Sequence, residues 1–270
     1  MAERCSVPPP GSFFDRRKSM AWCTLSFASK TLKRPEKLEL LIPQAGFKGL
    51  TQKEEYGVLV LLHGLHKDRK EWLLDSQMPF LVRELPLLVV MPTCRNAFYV
   101  NTANGYDYMD YIIREIPSLI RDMFPVSKDP RKWTVMGESM GGYGSLVCGL
   151  HHPEVFGGIA AFSPVTDLEE AEDLLPDVCF GDVFGSREER IRKGYDLFRL
   201  ADGMKDTPQV RMCCGKSDFL LGMNRRFYEK IRSGWDVIYS EGEGDHDFLY
   251  WNTRIPEVLS WIMKRMEACS

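Results

Sequence analysis

The fold this sequence predicts is an α/β sheet, mostly parallel, with helices on both faces and antiparallel strands at its N-terminal edge. Three observations predict it. Continuous apolar runs recur at 58–64, 87–92, 133–136, 158–163, 209–214 and 236–239, the pattern of strands buried on both faces. Helical patterns lie between them, which argues for a doubly wound sheet with right-handed crossovers. At 137–141 the chain reads Gly-Glu-Ser-Met-Gly, between one apolar run and a small-residue helix.

Taken in order, residues 1–19 carry Pro8-Pro9-Pro10-Gly11-Ser12 and then Asp15-Arg16-Arg17-Lys18. They lack the apolar stretch of a secretory signal and read as a disordered N-terminal extension, with Met20 a natural first residue and 20–270 a single domain. Segments 23–28 and 37–43 alternate polar with apolar residues, which predicts two antiparallel edge strands. A polar loop, 44–56, leads into the first buried run. The clearest helix is 106–123, with apolar positions at Met109, Ile112, Ile113, Ile116, Leu119 and Ile120. Helices are also predicted at 142–150, 224–233 and 255–266. The charge-rich segment 167–204 reads as a small cap insertion of short helices over the carboxyl end of the sheet.

Bulk properties narrow the function. The 270 residues allow one large domain. A hydrophobic share of 44% with 27% charged residues is ordinary for a soluble protein. The net charge of -3 gives no footprint for nucleic acid or an anionic membrane. No apolar run approaches the ~20 residues that span a bilayer. Eight scattered cysteines show no paired zinc spacing, so free thiols in a reducing cytoplasm are expected. The vicinal Cys213-Cys214 reads as one thiol on each face of a buried strand.

Strand, sharp turn and helix around Gly-x-Ser-x-Gly is the setting that presents a nucleophilic serine, here Ser139. A serine hydroxyl needs a base, and the base needs an acid to fix its tautomer. On such a scaffold the chain order is serine, acid, histidine. Of five histidines, only His151, His152 and His246 follow Ser139. His151 and His152 fall at the far end of the helix that starts at the serine, at ~1.5 Å per residue well away from it. His246, in a glycine-rich loop after the last strand, is the predicted base. Asp218 follows the penultimate strand and is the predicted acid, with Asp167 as its rival; Asp202 and Asp206 precede that strand and lie at its wrong end. The oxyanion donors expected are the backbone N–H groups of Met140, after the nucleophile, and Leu65, after the first buried run. His63 is then a structural residue.

The segments 20–43, His63-Gly64-Leu65, Asn96-Ala97-Phe98-Tyr99, Gly105-Tyr106-Asp107-Tyr108, 137–144, 215–219 and 244–251 together resemble α/β-hydrolases of the esterase family. That family includes tributyrin esterases, feruloyl and acetyl esterases, S-formylglutathione hydrolase and the mycolyltransferases, and the tributyrin esterase branch is most similar. The resemblance implies an α/β-hydrolase fold and a serine carboxylesterase acting on short-chain acyl or aryl esters. It implies the triad Ser139, Asp218 and His246, with no metal or organic cofactor. A small-molecule ester is the expected partner; related esterases often associate, so a homo-oligomer stays open. The loop His66-Lys67-Asp68-Arg69-Lys70 departs from the family in being basic. Trp251 and Trp72 are candidates for the substrate wall, with packing an equal alternative for each; Tyr99, Tyr106 and Tyr108 read as packing. Other functions open at this point are an S-formylglutathione-type thioesterase, an acyltransferase, and a non-catalytic binding protein on the same scaffold.

Overall fold

The computed structural model describes residues 20–43, 55–204 and 207–268. The predicted extension 1–19, most of the loop 44–56, and Cys5, Asp206 and Cys269 lie outside the described residues.

Eight strands form one sheet: β1 (Met20–Ser29), β2 (Arg34–Pro43), β3 (Gly57–Leu62), β4 (Leu87–Met91), β5 (Trp133–Glu138), β6 (Gly158–Phe162), β7 (Gln209–Gly215) and β8 (Val237–Gly242). Their order is β1-β2-β4-β3-β5-β6-β7-β8. The first two pairings, β1 with β2 and β2 with β4, are antiparallel, and the rest are parallel. This is the α/β-hydrolase arrangement expected from the sequence.

Period-two alternation divides the buried strand residues between two cores. Val58, Val60, Leu62, Val135, Ile159 and Ala161 face one. Leu59, Leu61, Met136, Ala160 and Phe162 face the other. The helix Met140–His151 covers the first face through Tyr143, Leu146, Val147 and Leu150. The helix Phe248–Glu267 covers the second through Trp251, Ile255, Leu259 and Ile262. Burial on both faces is why these strands are continuous apolar runs.

Two helices differ from the sequence reading. The one expected over 106–123 contains a π-helical turn, Tyr111–Glu115, just before Ile116–Met123. Pro117 follows it, and proline has no N–H for the regular ladder. The last helix starts at Phe248, not near 255, because the Asp247 side chain accepts from the Tyr250 N–H at 3.0 Å as an N-cap. Pro256, which suggests a helix start, lies inside it.

The 167–204 segment forms four short helices, Leu168–Leu174, Phe180–Phe184, Arg187–Arg192 and Leu197–Gly203. Phe180 and Phe184 pack on Phe98, and Phe184 also meets Tyr143, which ties the segment to the nucleophile helix. Tyr99 and Tyr108 are buried, whereas Tyr106 is exposed. A Cβ on Gly144 would lie 2.3 Å from the Tyr99 ring, so that glycine is what admits the tyrosine. Among the described residues no helix is long and apolar enough to cross a membrane.

Candidate active site

β5 ends at Glu138, and the next residue, Ser139, takes φ 55° and ψ -116° before the helix begins at Met140. A non-glycine residue there is strained. Its neighbours hold it. The Ser139 N–H donates to the Phe162 carbonyl at 2.9 Å, and its carbonyl accepts from Tyr143 at 3.1 Å and Val165 at 3.2 Å. The flanking glycines are required by close approach. A Cβ on Gly137 would lie 2.3 Å from the Gly141 carbonyl oxygen, and one on Gly141 would lie 2.2 Å from that of Leu62.

Asp218 and His246 meet because the loops after β7 and β8 are bonded to each other. The Lys216 N–H donates to the Gly242 carbonyl at 2.8 Å and the Ser217 N–H to that of Gly244 at 2.9 Å. Gly215 lies too close to the Gly244 carbonyl to carry a Cβ, which would be 2.4 Å away. The His246 Nδ1 lies 3.0 and 2.9 Å from the two Asp218 carboxylate oxygens. A carboxylate can only accept, so Nδ1 carries the proton and Nε2 keeps its lone pair. Phe219 and Trp251 flank the imidazole at centroid distances of 4.7 and 5.1 Å. Burial pushes the Asp218 carboxyl up, but the bond and charge of His246, with bonds from Ser163 and the Leu220 N–H, hold it below its ordinary value. Asp167, the rival acid, is instead the N-cap of Leu168–Leu174 and accepts from Glu169 and Glu170.

Ser139 and His246 line one cavity of about 360 Å³, walled also by Leu65, Leu175, Phe248 and Trp251. The N–H groups of Leu65, which lines the cavity, and of Met140, at the N-terminus of the helix after Ser139, donate to no other group among the described residues, as expected at the first turn of a helix. An anion at that point meets the positive end of the helix dipole. A larger cleft, about 610 Å³ between Arg131, Arg211 and Trp261, lies around the opposite strand ends and holds neither the serine nor the histidine. Of the two readings left open for Trp72, substrate wall and packing, the structure gives packing, since it is not among the residues lining the active-site cavity. It is fully buried, donates to the Leu62 carbonyl at 3.0 Å and packs edge-on against Phe162 and Phe248. Among the described residues no cluster of three or more His, Cys, Asp or Glu side chains could hold a metal ion.

Sequence reasoning missed Ser163. This buried residue follows β6 at φ 43°. Its Oγ accepts from Trp251 Nε1 at 2.9 Å, and its hydroxyl is among the groups that hold the Asp218 carboxyl below its ordinary value. The strand order carried a signal: β6 lies between β5 and β7, so the residue at its carboxyl end must fall between nucleophile and acid. Replacing Ser163 by Ala should free one side of Asp218 and orphan the Trp251 N–H. We expect kcat to fall about tenfold, or ~1.4 kcal/mol, with KM within about twofold. Steady-state kinetics with p-nitrophenyl acetate tests this, and an unchanged kcat would remove Ser163 from the relay.

His63 is fully buried. Its Nε2 accepts from the Cys94 N–H at 3.0 Å, so Nδ1 bears the proton and donates to the Gly64 carbonyl at 2.7 Å. Burial lowers its pKa to about 4. The native state therefore holds it neutral, and its contribution to stability is complete above the unfolded value near 6.5 and is lost as pH falls toward 4. At pH 5 the expected loss is about 2 kcal/mol. Urea unfolding at pH 7 and pH 5 should show a steeper loss for the wild type than for His63→Gln, which can keep both bonds.

A family model described as "Putative esterase" matches residues 29–262. An acetyl esterase of Caldicellulosiruptor saccharolyticus is 29% identical over 263 residues, spanning 91% of this chain and 99% of the relative. Among solved structures, the fluorophosphonate-binding serine hydrolase FphF of Staphylococcus aureus matches with a TM-score of 0.84 at 28% identity, over 90% of this chain and 98% of its own. S-formylglutathione hydrolase FrmB from the same organism matches with a TM-score of 0.78 at 28% identity, over 90% of this chain and 99% of its own.

Proposed function

This chain belongs to the "Putative esterase" family and is a serine carboxylesterase; we propose that it hydrolyses short-chain acyl esters through an acyl-enzyme on Ser139. One observation carries the assignment of residues. The strained Ser139 shares a cavity with His246, whose Nδ1 is tied to Asp218. In this reading His246 Nε2 takes the Ser139 proton as Oγ attacks the ester carbonyl. The Met140 and Leu65 N–H groups receive the oxyanion. Protonated His246, its charge offset by Asp218, returns the proton to the leaving alcohol. Water then attacks the acyl carbonyl as His246 takes its proton, and His246 passes that proton to the leaving Ser139 Oγ, which releases the acid and the free serine.

The size of the cavity supports small acyl groups, since about 360 Å³ lies near the lower end of the ~300–1,000 Å³ usual for ligand pockets. Leu175 in its wall supports a cap role for 167–204. The described cysteines are all free, which suits a reducing, cytoplasmic setting. The likeness to S-formylglutathione hydrolase favours a thioester as the second reading. Turnover of p-nitrophenyl acetate, butyrate and decanoate, tributyrin, methyl ferulate and S-formylglutathione tests both. We expect kcat/KM to fall at least tenfold from butyrate to decanoate. A preference for decanoate would overturn the short-chain assignment, and faster turnover of the thioester would install the second reading.

A further inference from the structure

Two buried carboxyls lie beside the nucleophile with no part in the chemistry above. Glu138, the residue before Ser139, is 2% exposed, and Glu71, at the start of the helix Glu71–Leu74, is 6% exposed. Both carboxyls converge on Gly64, whose N–H donates to Glu71 Oε2 at 2.8 Å and whose Cα faces the Glu138 carboxyl, and both line one cavity; each acts on the other's proton. Two carboxylates cannot both stay ionised in such contact without a close cation. The nearest ammonium, Lys67 Nζ, is 3.9 Å from Glu71 Oε1 and closer, at 3.2 Å, to Asp75. One proton must therefore be shared between them. Glu71 Oε2 accepts the Gly64 N–H at 2.8 Å, whereas Glu138 Oε1 has no donor partner. Those bonds make Glu71 the carboxylate and Glu138 the acid that donates to it. Burial first, then the charge of Glu71, pushes the Glu138 carboxyl well above its ordinary value, in agreement with that assignment.

The pair presses on one point of backbone. A Cβ at Gly64 would lie 2.6 and 2.7 Å from the two Glu138 oxygens. Gly64 precedes Leu65, and Glu138 precedes Ser139. The two carboxyls thus couple the ends of β3 and β5, which carry the second oxyanion donor and the nucleophile. Both also line the cavity shared by Ser139 and His246. A pair with one proton brings a single negative charge to the edge of the oxyanion site; a pair without it would bring two, and would repel the charge that develops in the transition state.

We propose that Glu71 and Glu138 form one proton-sharing pair of positioning residues that holds the Gly64-Leu65 segment in register with Ser139 and so sets the oxyanion site. The proposal rests on the acyl-enzyme reading above. Loss of the shared proton gives kcat an alkaline decline of its own. The other ionisable groups around the pair are Lys67 from the loop after β3, with Asp75 bonded to it, Tyr99 from the loop after β4, and His66, His246 and Asp247, which line the same cavity.

The test is kcat for p-nitrophenyl acetate from pH 6 to 10, corrected for spontaneous hydrolysis. It is expressed per serine titrated with a fluorophosphonate, so that misfolded protein does not count. Glu138→Gln keeps a neutral donor to Glu71. It should stay within about threefold of wild type at pH 7 and lose the alkaline decline. Glu138→Ala and Glu71→Ala should each lower kcat about tenfold or more, with KM within about twofold. Wild-type kcat per titrated serine in both alanine variants would overturn the proposal, as would a Glu138→Gln enzyme as impaired as Glu138→Ala. If Glu138→Ala does not fold, Glu138→Gln and Glu71→Ala decide. A wild-type serine that resists the fluorophosphonate would sink the acyl-enzyme reading and this proposal with it. A serine that labels, with normal kcat in the variants, sinks this proposal alone.

Discussion

Ser139→Ala is expected to lower kcat for p-nitrophenyl acetate by on the order of 10⁶-fold, leaving only what the oxyanion donors and substrate binding contribute over water. The size follows from the bond that is lost. Without Oγ no acyl-enzyme can form, and His246 has nothing to deprotonate except water in a geometry built for an attached nucleophile. The fold should survive. The bonds that hold Ser139 at φ 55° run through its backbone N–H and carbonyl to Phe162, Tyr143 and Val165, and alanine keeps them all. Melting temperature and far-ultraviolet circular dichroism should therefore match the wild type while fluorophosphonate labelling disappears. Activity above about one per cent of wild type, in protein free of contaminating esterase, would remove Ser139 from its role.

The second large effect is expected at Asp218. Asp218→Asn should lower kcat by about 10⁴-fold with little change in shape. The carboxylate only accepts, and that forces the His246 proton onto Nδ1 and leaves Nε2 free as base. A carboxamide there would receive the Leu220 N–H, now at 2.8 Å from Oδ1, with the Ser163 hydroxyl favouring the oxygen on the same side. These donors turn its oxygen toward themselves and its NH₂ toward the ring. The imidazole then carries its proton on Nε2 and cannot accept from serine. The native carboxyl is held below its ordinary value, so it stays ionised at and above pH 4. The stability it contributes is present above that ordinary value and is lost only as pH falls through the lower, native one. Consequently Asp218 should stay an acceptor for the His246 N–H at and above its ordinary value, and activity lost through protonation of Asp218 should appear only below it. A pH profile of kcat/KM, with the wild type beside the variant, checks both statements.

Much of the site could be read from residue order alone. Buried parallel strands are apolar throughout, so β3 to β7 announced themselves; the glycines at 137 and 141 stand where backbones meet. Elimination among histidines pointed to His246 because strand order on this scaffold limits which loops can reach the serine, and the structure sets that residue against Asp218 in the cavity of Ser139. What the sequence did not disclose were contacts between residues far apart in the chain. Ser163 bonds Trp251 across 88 positions, and Glu71 meets Glu138 from another element. Neither pairing leaves a mark in local periodicity. Trp72 illustrates the converse. A large aromatic near the oxyanion loop suits a substrate wall, and only its place beneath β3 shows that it is packing.

The joining of the two loops that carry Asp218 and His246 has a consequence for how this enzyme is switched on as it folds. β8 has one neighbour only and is partly open to solvent along its length. The serine is built on β5, in the interior of the sheet, with partners on both sides. A molecule whose rim has peeled away still displays its nucleophile, yet has no base within reach. The nucleophile is thus built in the interior of the sheet and its base at the rim. Acylation therefore requires β8 in place beside β7, because that pairing is what brings His246 to Asp218.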